Sequence, residues 1–160
     1  MDPETHPILL ALQSSNQRIV FAESCTGGMI SAELTTIPGI SQWLCGSAVT
    51  YRPETKMNWL QISPEMIDEF STESAEVTRA MCRSVLEMTE EATLAAAITG
   101  HLGPGAPSEL DGVVYVSITK RIKGDLIDVL SVRRVLKETN RTSRQREATQ
   151  LVIKMLTSVI

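Results

Sequence analysis

Apolar positions along the chain change their spacing several times, and each change marks a new element. Ile8, Leu9 and Leu12, with Leu10 beside them, predict a short amphipathic helix ahead of the first strand. "RIVFA" (Arg18–Ala22) reads as a short buried strand. The spacing from Thr26 to Leu34 predicts a helix that stops before "IPGI", where Pro38-Gly39 breaks it. "WLCGSAVTY" (Trp43–Tyr51) is a second strand, and Pro53 sits in the first turn of a helix running through "ETKMNWL". Ser63 caps the helix of "SPEMIDEF", with Pro64 at its first position. A second cap falls at Ser71 or Thr72, ahead of a long helix with Val77, Met81, Val85 and Met88 on one face.

"ATLAAAIT" (Ala92–Thr99) is a buried strand that runs into the Gly-rich "GHLGPGAP". "GVVYVSIT" and "LIDVLSVRRVL" are adjacent strands of a hairpin joined by "KRIKGD". Arg144 to Ile160 closes the pattern as an amphipathic helix, with Ala148, Leu151, Val152, Met155 and Leu156 inward. Strands alternate with helices and a hairpin comes late. This predicts an α/β fold, with a mixed sheet flanked by helices in a three-layer α/β/α arrangement.

Composition narrows the class. At 160 residues the chain suits one domain, residues 1–160, with no repeat or linker to divide it. Aromatic residues make up only 4%, so Leu, Ile, Val, Met and Ala must build the core. A net charge of -4 gives no overall pull toward nucleic acid. The arginines after residue 130 read as a solvated helix face or as one or two contacts to a small anion. Three cysteines without a C-x-x-C pair or paired His ligands argue against both a disulfide framework and a metal site. The start "MDPETHPILLALQ" lacks the basic and apolar regions of a signal peptide, and no segment is long and apolar enough to span a membrane. The expectation is a cytoplasmic protein with reduced thiols.

Ligands in α/β sheets bind beyond the carboxyl ends of the strands. Three polar clusters stand there: "ESCTGG", "TYRPETK" and "TGHLGPG". In the first, the backbone N–H groups and hydroxyls of Ser24, Cys25 and Thr26 gather at a helix start, which suits an anion or a developing oxyanion. A plain helix cap explains the same residues. The second cluster offers Tyr51 and Lys56, and a desolvated Lys can serve as general base to a Ser. A surface lysine has the same spacing. In the third, Thr99 and Gly100 precede a loop in which His101 reads as solvent-exposed, and Glu109 and Asp111 as turn residues. Cys25 reads as a packing residue, and His6 lies too near the terminus to weigh.

Together "AESCTGG", "GSAVTYRPETK", "AITGHLGPG" and the "NR" of Asn140-Arg141 resemble, in order and spacing, the CinA C-terminal domain family of nicotinamide-nucleotide amidohydrolases. The family pattern carries "AESCTGG", "YSNxxK", "[ST]GIAGPxGG", "PVGTV" and "GDR", and the similarity covers nearly the whole chain. The resemblance implies hydrolysis of the carboxamide of nicotinamide mononucleotide to nicotinate mononucleotide and ammonia, with neither metal nor cofactor. It implies Ser24 as nucleophile, Lys56 as its base and Tyr51 as an assisting hydroxyl. The N–H groups of Cys25 and Thr26 would hold the oxyanion. Thr26, Gly27, Gly28, Thr99, Gly100 and Arg141 would bind the nucleotide, with Arg141 on the substrate or its phosphate.

It further implies a stand-alone form of the domain and a homo-oligomer, with a small nucleotide rather than nucleic acid or membrane as partner. The sequence departs from the pattern at Arg52-Pro53, at His101-Leu102, at "LDGVVYV", at "TNR", and at Gln145, where the family has arginine. The active residue types persist while those around them change. Three readings stay open, the first two being the amidohydrolase, and a catalytically silent or altered-specificity nucleotide-binding module. A structural partner domain is a third.

Overall fold

Five strands form one sheet in the order β2-β1-β3-β4-β5 in the computed structural model, which describes residues 6–160. The strands are β1 (Ile19–Glu23), β2 (Leu44–Val49), β3 (Leu94–Gly100), β4 (Val113–Ile122) and β5 (Asp125–Val135). Six α-helices accompany them among the described residues: α1 (Pro7–Ser15), α2 (Met29–Leu34), α3 (Pro53–Leu60), α4 (Pro64–Phe70), α5 (Ala75–Met88) and α6 (Arg141–Val159). Strands β2, β1 and β3 run parallel, and β4 and β5 join as an antiparallel hairpin. The fold is the mixed α/β architecture that the alternation of elements predicts. Of the terminal stretch without a signal-like pattern, residues 1–5 lie outside the described part.

Alternation along the central strands divides the core between two faces. Ile19 and Phe21 of β1, with Leu94, Ala96 and Ile98 of β3, join the cluster built by α1, α2 and α6. Val20 and Ala22, with Ala95 and Ala97, face α3 and α5. Alanines on that side leave room for Val77, Met81, Val85 and Leu86 of α5 to reach the sheet. Because β1 is wholly buried between parallel neighbours, its sequence is a continuous apolar run up to Glu23.

The chain leaves β1 through α2 on one face to reach β2, then returns through α3, α4 and α5 on the other face to β3. Connections on opposite faces open a crevice at the carboxyl end of β1, which is where such sheets bind ligands.

Several boundaries differ from the sequence expectation. Helix α2 begins at Met29 rather than Thr26, because Gly27 and Gly28 take φ of +63° and +92° and turn the chain first. The cap of α5 is Ser74, whose Oγ accepts from the Val77 N–H, rather than Ser71 or Thr72. Met88 does not join the buried stripe of α5; it is 58% exposed at the last turn. The hairpin turn is tighter than "KRIKGD" suggests, with only Lys123 and Gly124 between the strands. On α6, Ile153 is buried while Leu151 and Met155 are only half-buried.

Candidate active site

Glu23 ends β1 without any exposed surface, and a buried carboxylate must be satisfied by donors. Thr26 Oγ1 donates to it at 2.7 Å and Ser47 Oγ at 3.0 Å. The backbone N–H groups of Gly28, Ile30 and Ser31 donate to it at 3.1 Å each. These last three are unpaired donors at the start of α2, so Glu23 caps that helix from the strand before it. The chain between, including Ser24 and Cys25, is held as a fixed turn. Gln145 of α6 pins the turn from outside, its Nε2 donating to the carbonyls of Thr26 at 3.0 Å and Cys25 at 3.4 Å.

Lys56 of α3 reaches under this turn. Its Nζ donates to Ser24 Oγ at 3.1 Å and to the Thr50 carbonyl at 3.2 Å, and the residue has no exposed surface. Burial pushes its pKa below the ordinary 10.5, opposed by the charge of Glu73. Ser24 is 4% exposed and opens into the cleft. Cys25 beside it stays a thiol, since burial raises its pKa to about 12.

A cleft of about 380 Å³ lies over Ser24 and Cys25, between Tyr51, Glu73, His101, the loop from Gly103 to Pro107, and Arg141. Its volume suits a small-molecule site. The sequence grouped Tyr51 with Lys56, whereas the structure joins it to Arg141, whose Nη2 donates to Tyr51 Oη at 2.7 Å. Arg141 Nη1 donates to the Gly103 carbonyl at 2.6 Å, which fixes the guanidinium at the mouth of the cleft. His101, expected in solvent, lines the cleft with its side chain 23% exposed.

Other expected residues stand one layer back. Thr26 is buried and has given its hydroxyl to Glu23, and Gly27 and Gly28 form the turn behind Ser24; none of the three lines the cleft. Thr99 is buried too, its Oγ1 sharing a hydrogen bond of 2.8 Å with Thr78 Oγ1 of α5. Gly100 does line the cleft, and here glycine is required. A Cβ would meet the Val113 carbonyl oxygen at 2.5 Å and Val114 Cα at 2.8 Å, where β3 pairs with β4.

Residues that sequence reasoning passed over hold the site together. Arg144, counted among the basic surface residues, is buried. It donates to both carboxylate oxygens of Asp111 at 2.7 and 2.8 Å and to the Leu102 carbonyl at 3.2 Å. Asp111 is therefore more than a turn residue, since the pair ties both ends of the cleft loop to α6, and the guanidinium holds the Asp111 carboxyl below the usual range. Glu23 had a signal, a carboxylate directly after an apolar strand. Glu73 had none beyond its place one residue before the Ser74 cap. Among the described residues no group of three His, Cys, Asp or Glu side chains is placed to hold a metal ion. No helix there is long and apolar enough to cross a membrane.

Known proteins with this organisation point to one group. The chain is 41% identical over 114 residues to a CinA-like protein of Prochlorococcus marinus, covering 70% of this chain and 27% of that protein. A putative competence-damage inducible protein of Moorella thermoacetica is 34% identical over 147 residues, covering 91% of this chain and 34% of that protein. The chain thus spans about a quarter to a third of the length of these curated relatives. In three dimensions it is similar to the competence/damage inducible protein CihA of Agrobacterium tumefaciens. That match has a TM-score of 0.85 and 27% identity, and covers 94% of this chain and 90% of the other. The model of the CinA C-terminal domain matches residues 3–160, and the chain belongs to that family.

Proposed function

We propose that the cleft hydrolyses the carboxamide of nicotinamide mononucleotide, with Ser24 as nucleophile and Lys56 as general base. The observation that carries this reading is the 3.1 Å contact between Lys56 Nζ and Ser24 Oγ, made by a lysine without exposed surface beneath an open cleft. A fully hydrated lysine is protonated at neutral pH and cannot accept a proton. Burial lowers the pKa of Lys56 and brings the neutral amine within reach.

Neutral Lys56 keeps one N–H on the Thr50 carbonyl and turns its lone pair to the Ser24 hydroxyl. Ser24 Oγ attacks the carboxamide carbon as its proton passes to Lys56 Nζ. The C–N bond then breaks, Lys56 returns the proton to the departing nitrogen, and ammonia leaves an acyl-serine. Water attacks the acyl carbon through the same lysine, which releases the carboxylate and restores Ser24. The backbone N–H groups of Cys25 and Thr26 donate to no other group among the described residues, which leaves them free for the oxyanion. Arg141, steadied by Tyr51 and Gly103, is the group for the phosphate, and Tyr51 acts by positioning that guanidinium.

The test is ammonia release from nicotinamide mononucleotide by the wild type and by Ser24→Ala. Release by the wild type and its loss in the variant is the expected result. A wild type that releases none, yet is stabilised to heat by the nucleotide, would make the domain a binding module instead.

A further inference from the structure

Besides Tyr51 and the Cys25 thiol, three charged or titratable side chains line the cleft, and the amidohydrolase reading uses only one of them, Arg141, with Lys56 beneath. The others are Glu73 and His101. Glu73 stands at the amino end of α5, one residue before its cap, and projects into the cleft on the side of the nucleophile. Its charge is near enough to Lys56 to oppose the effect of burial there. His101 Nε2 lies 3.9 Å from the Glu73 carboxylate, outside hydrogen-bond range. Among the described residues no group donates a hydrogen bond to that carboxylate, although its side chain is only 28% exposed. Glu23, the other acid of this region, differs in having all its acceptor capacity used.

A half-buried carboxylate without donors, beside a nucleophile, is a recognition group whose partner comes with the ligand. The partner's chemistry follows from the reaction. For Ser24 to attack a carboxamide, the carbonyl carbon must come within about 3–3.5 Å of Oγ. The ring bearing that carboxamide then lies beside Glu73. The phosphate, at the far end of the nucleotide, is left for Arg141. In nicotinamide mononucleotide the ring is a pyridinium, a cation with its charge spread over carbon and nitrogen. Such a charge is weakly hydrated and pairs with a carboxylate without needing an N–H donor.

We infer that Glu73, with His101 beside it in the cleft wall, forms a subsite for a cationic heteroaromatic ring. The cleft accordingly takes the pyridinium form of its nucleotide in preference to the reduced, uncharged ring. The inference rests on the amidohydrolase reading and adds the selection of ring charge.

Two probes differ in little but that charge: nicotinamide mononucleotide and its dihydro form, which share carboxamide, ribose and phosphate. Binding is measured by calorimetry in Ser24→Ala protein, so that turnover and the lower electrophilicity of the reduced amide do not enter. The expected result is binding of the pyridinium form at least about tenfold tighter than the dihydro form. The preference should collapse in Ser24→Ala/Glu73→Gln and persist in part in Ser24→Ala/Glu73→Asp, which keeps the charge. In the active enzyme, Glu73→Gln should raise KM for the oxidised nucleotide. It should also move the acid limb of the kcat profile to lower pH, because Lys56 loses the charge that supports its protonated form. A purely structural role would move neither ring preference nor acid limb.

An equal preference with and without the Glu73 charge would overturn the subsite and leave the amidohydrolase reading standing. If neither form binds and the wild type releases no ammonia, the nucleotide reading falls and the subsite with it.

Discussion

At the scale of single residues, the site turns on a lysine held where lysines are rarely found. Lys56 has no exposed surface, and its ammonium is served by one hydroxyl and one carbonyl. The unfolded chain solvates that charge better, so below 10.5 it holds its proton where the folded chain releases it. Between the lowered pKa and 10.5 the unfolded state binds more protons, and stability rises with pH across that window. Lys56→Met removes both the cost and the slope. It should abolish turnover while raising stability at pH 7 by about 1 kcal/mol, or about 2–4 °C. Thermal melts of both proteins from pH 7 to 10 check this: the wild type should gain stability over the range relative to the variant. A variant that melts well below wild type would mean that the lysine supports the fold.

At the scale of elements, a helix start and a strand end share one acid. Glu23 accepts five hydrogen bonds, three from the first N–H groups of α2 and one from Ser47 on the neighbouring strand. Glu23→Gln keeps the size but turns one acceptor into a donor facing other donors. The expected cost is about 3 kcal/mol in urea unfolding, with turnover lost because the Ser24 turn slackens. The order of elements was legible in the sequence because β1 and β3 are short apolar runs and α1, α3, α4 and α5 open on a Ser cap or a Pro. The meeting of Ser24 and Lys56 at 3.1 Å was implied by the resemblance rather than by spacing, which suits a helix cap and a surface lysine equally well. The acid at the strand end had a signal, but its role did not, since nothing in "AESCTGG" says that Glu23 points inward and Ser24 toward the cleft. The Asp111–Arg144 tie was not legible either; it joins residues 33 positions apart and depends on how α6 docks. Pairings of that kind follow from tertiary packing, and no local pattern encodes them.

At the scale of the molecule, the two hydrophobic clusters lie on opposite faces of one sheet and share β1 and β3 residue by residue. Neither face can lose its helices without exposing strands that the other needs. Unfolding should therefore be a single cooperative transition. Each face carries its own reporter, Trp43 packed against the α1, α2 and α6 cluster, and Trp59 on α3. Trp43→Phe and Trp59→Phe each leave one fluorophore, and their unfolding midpoints in urea should coincide with that seen by circular dichroism. Two separated midpoints would mean that the layers unfold independently.

The amino end of α6 reaches three segments at once, through Arg141 to Tyr51 and Gly103, Arg144 to Asp111, and Gln145 to the Ser24 turn. Its first residues emerge from the ribosome only after the whole sheet has been made. A nascent chain can thus hold the turn after β1 with Ser24, and α3 with Lys56, while the cleft above them still lacks a wall. The wall that carries Arg141 is synthesised after the turn that carries Ser24. The cleft over Ser24 is complete only once the amino end of α6 has docked.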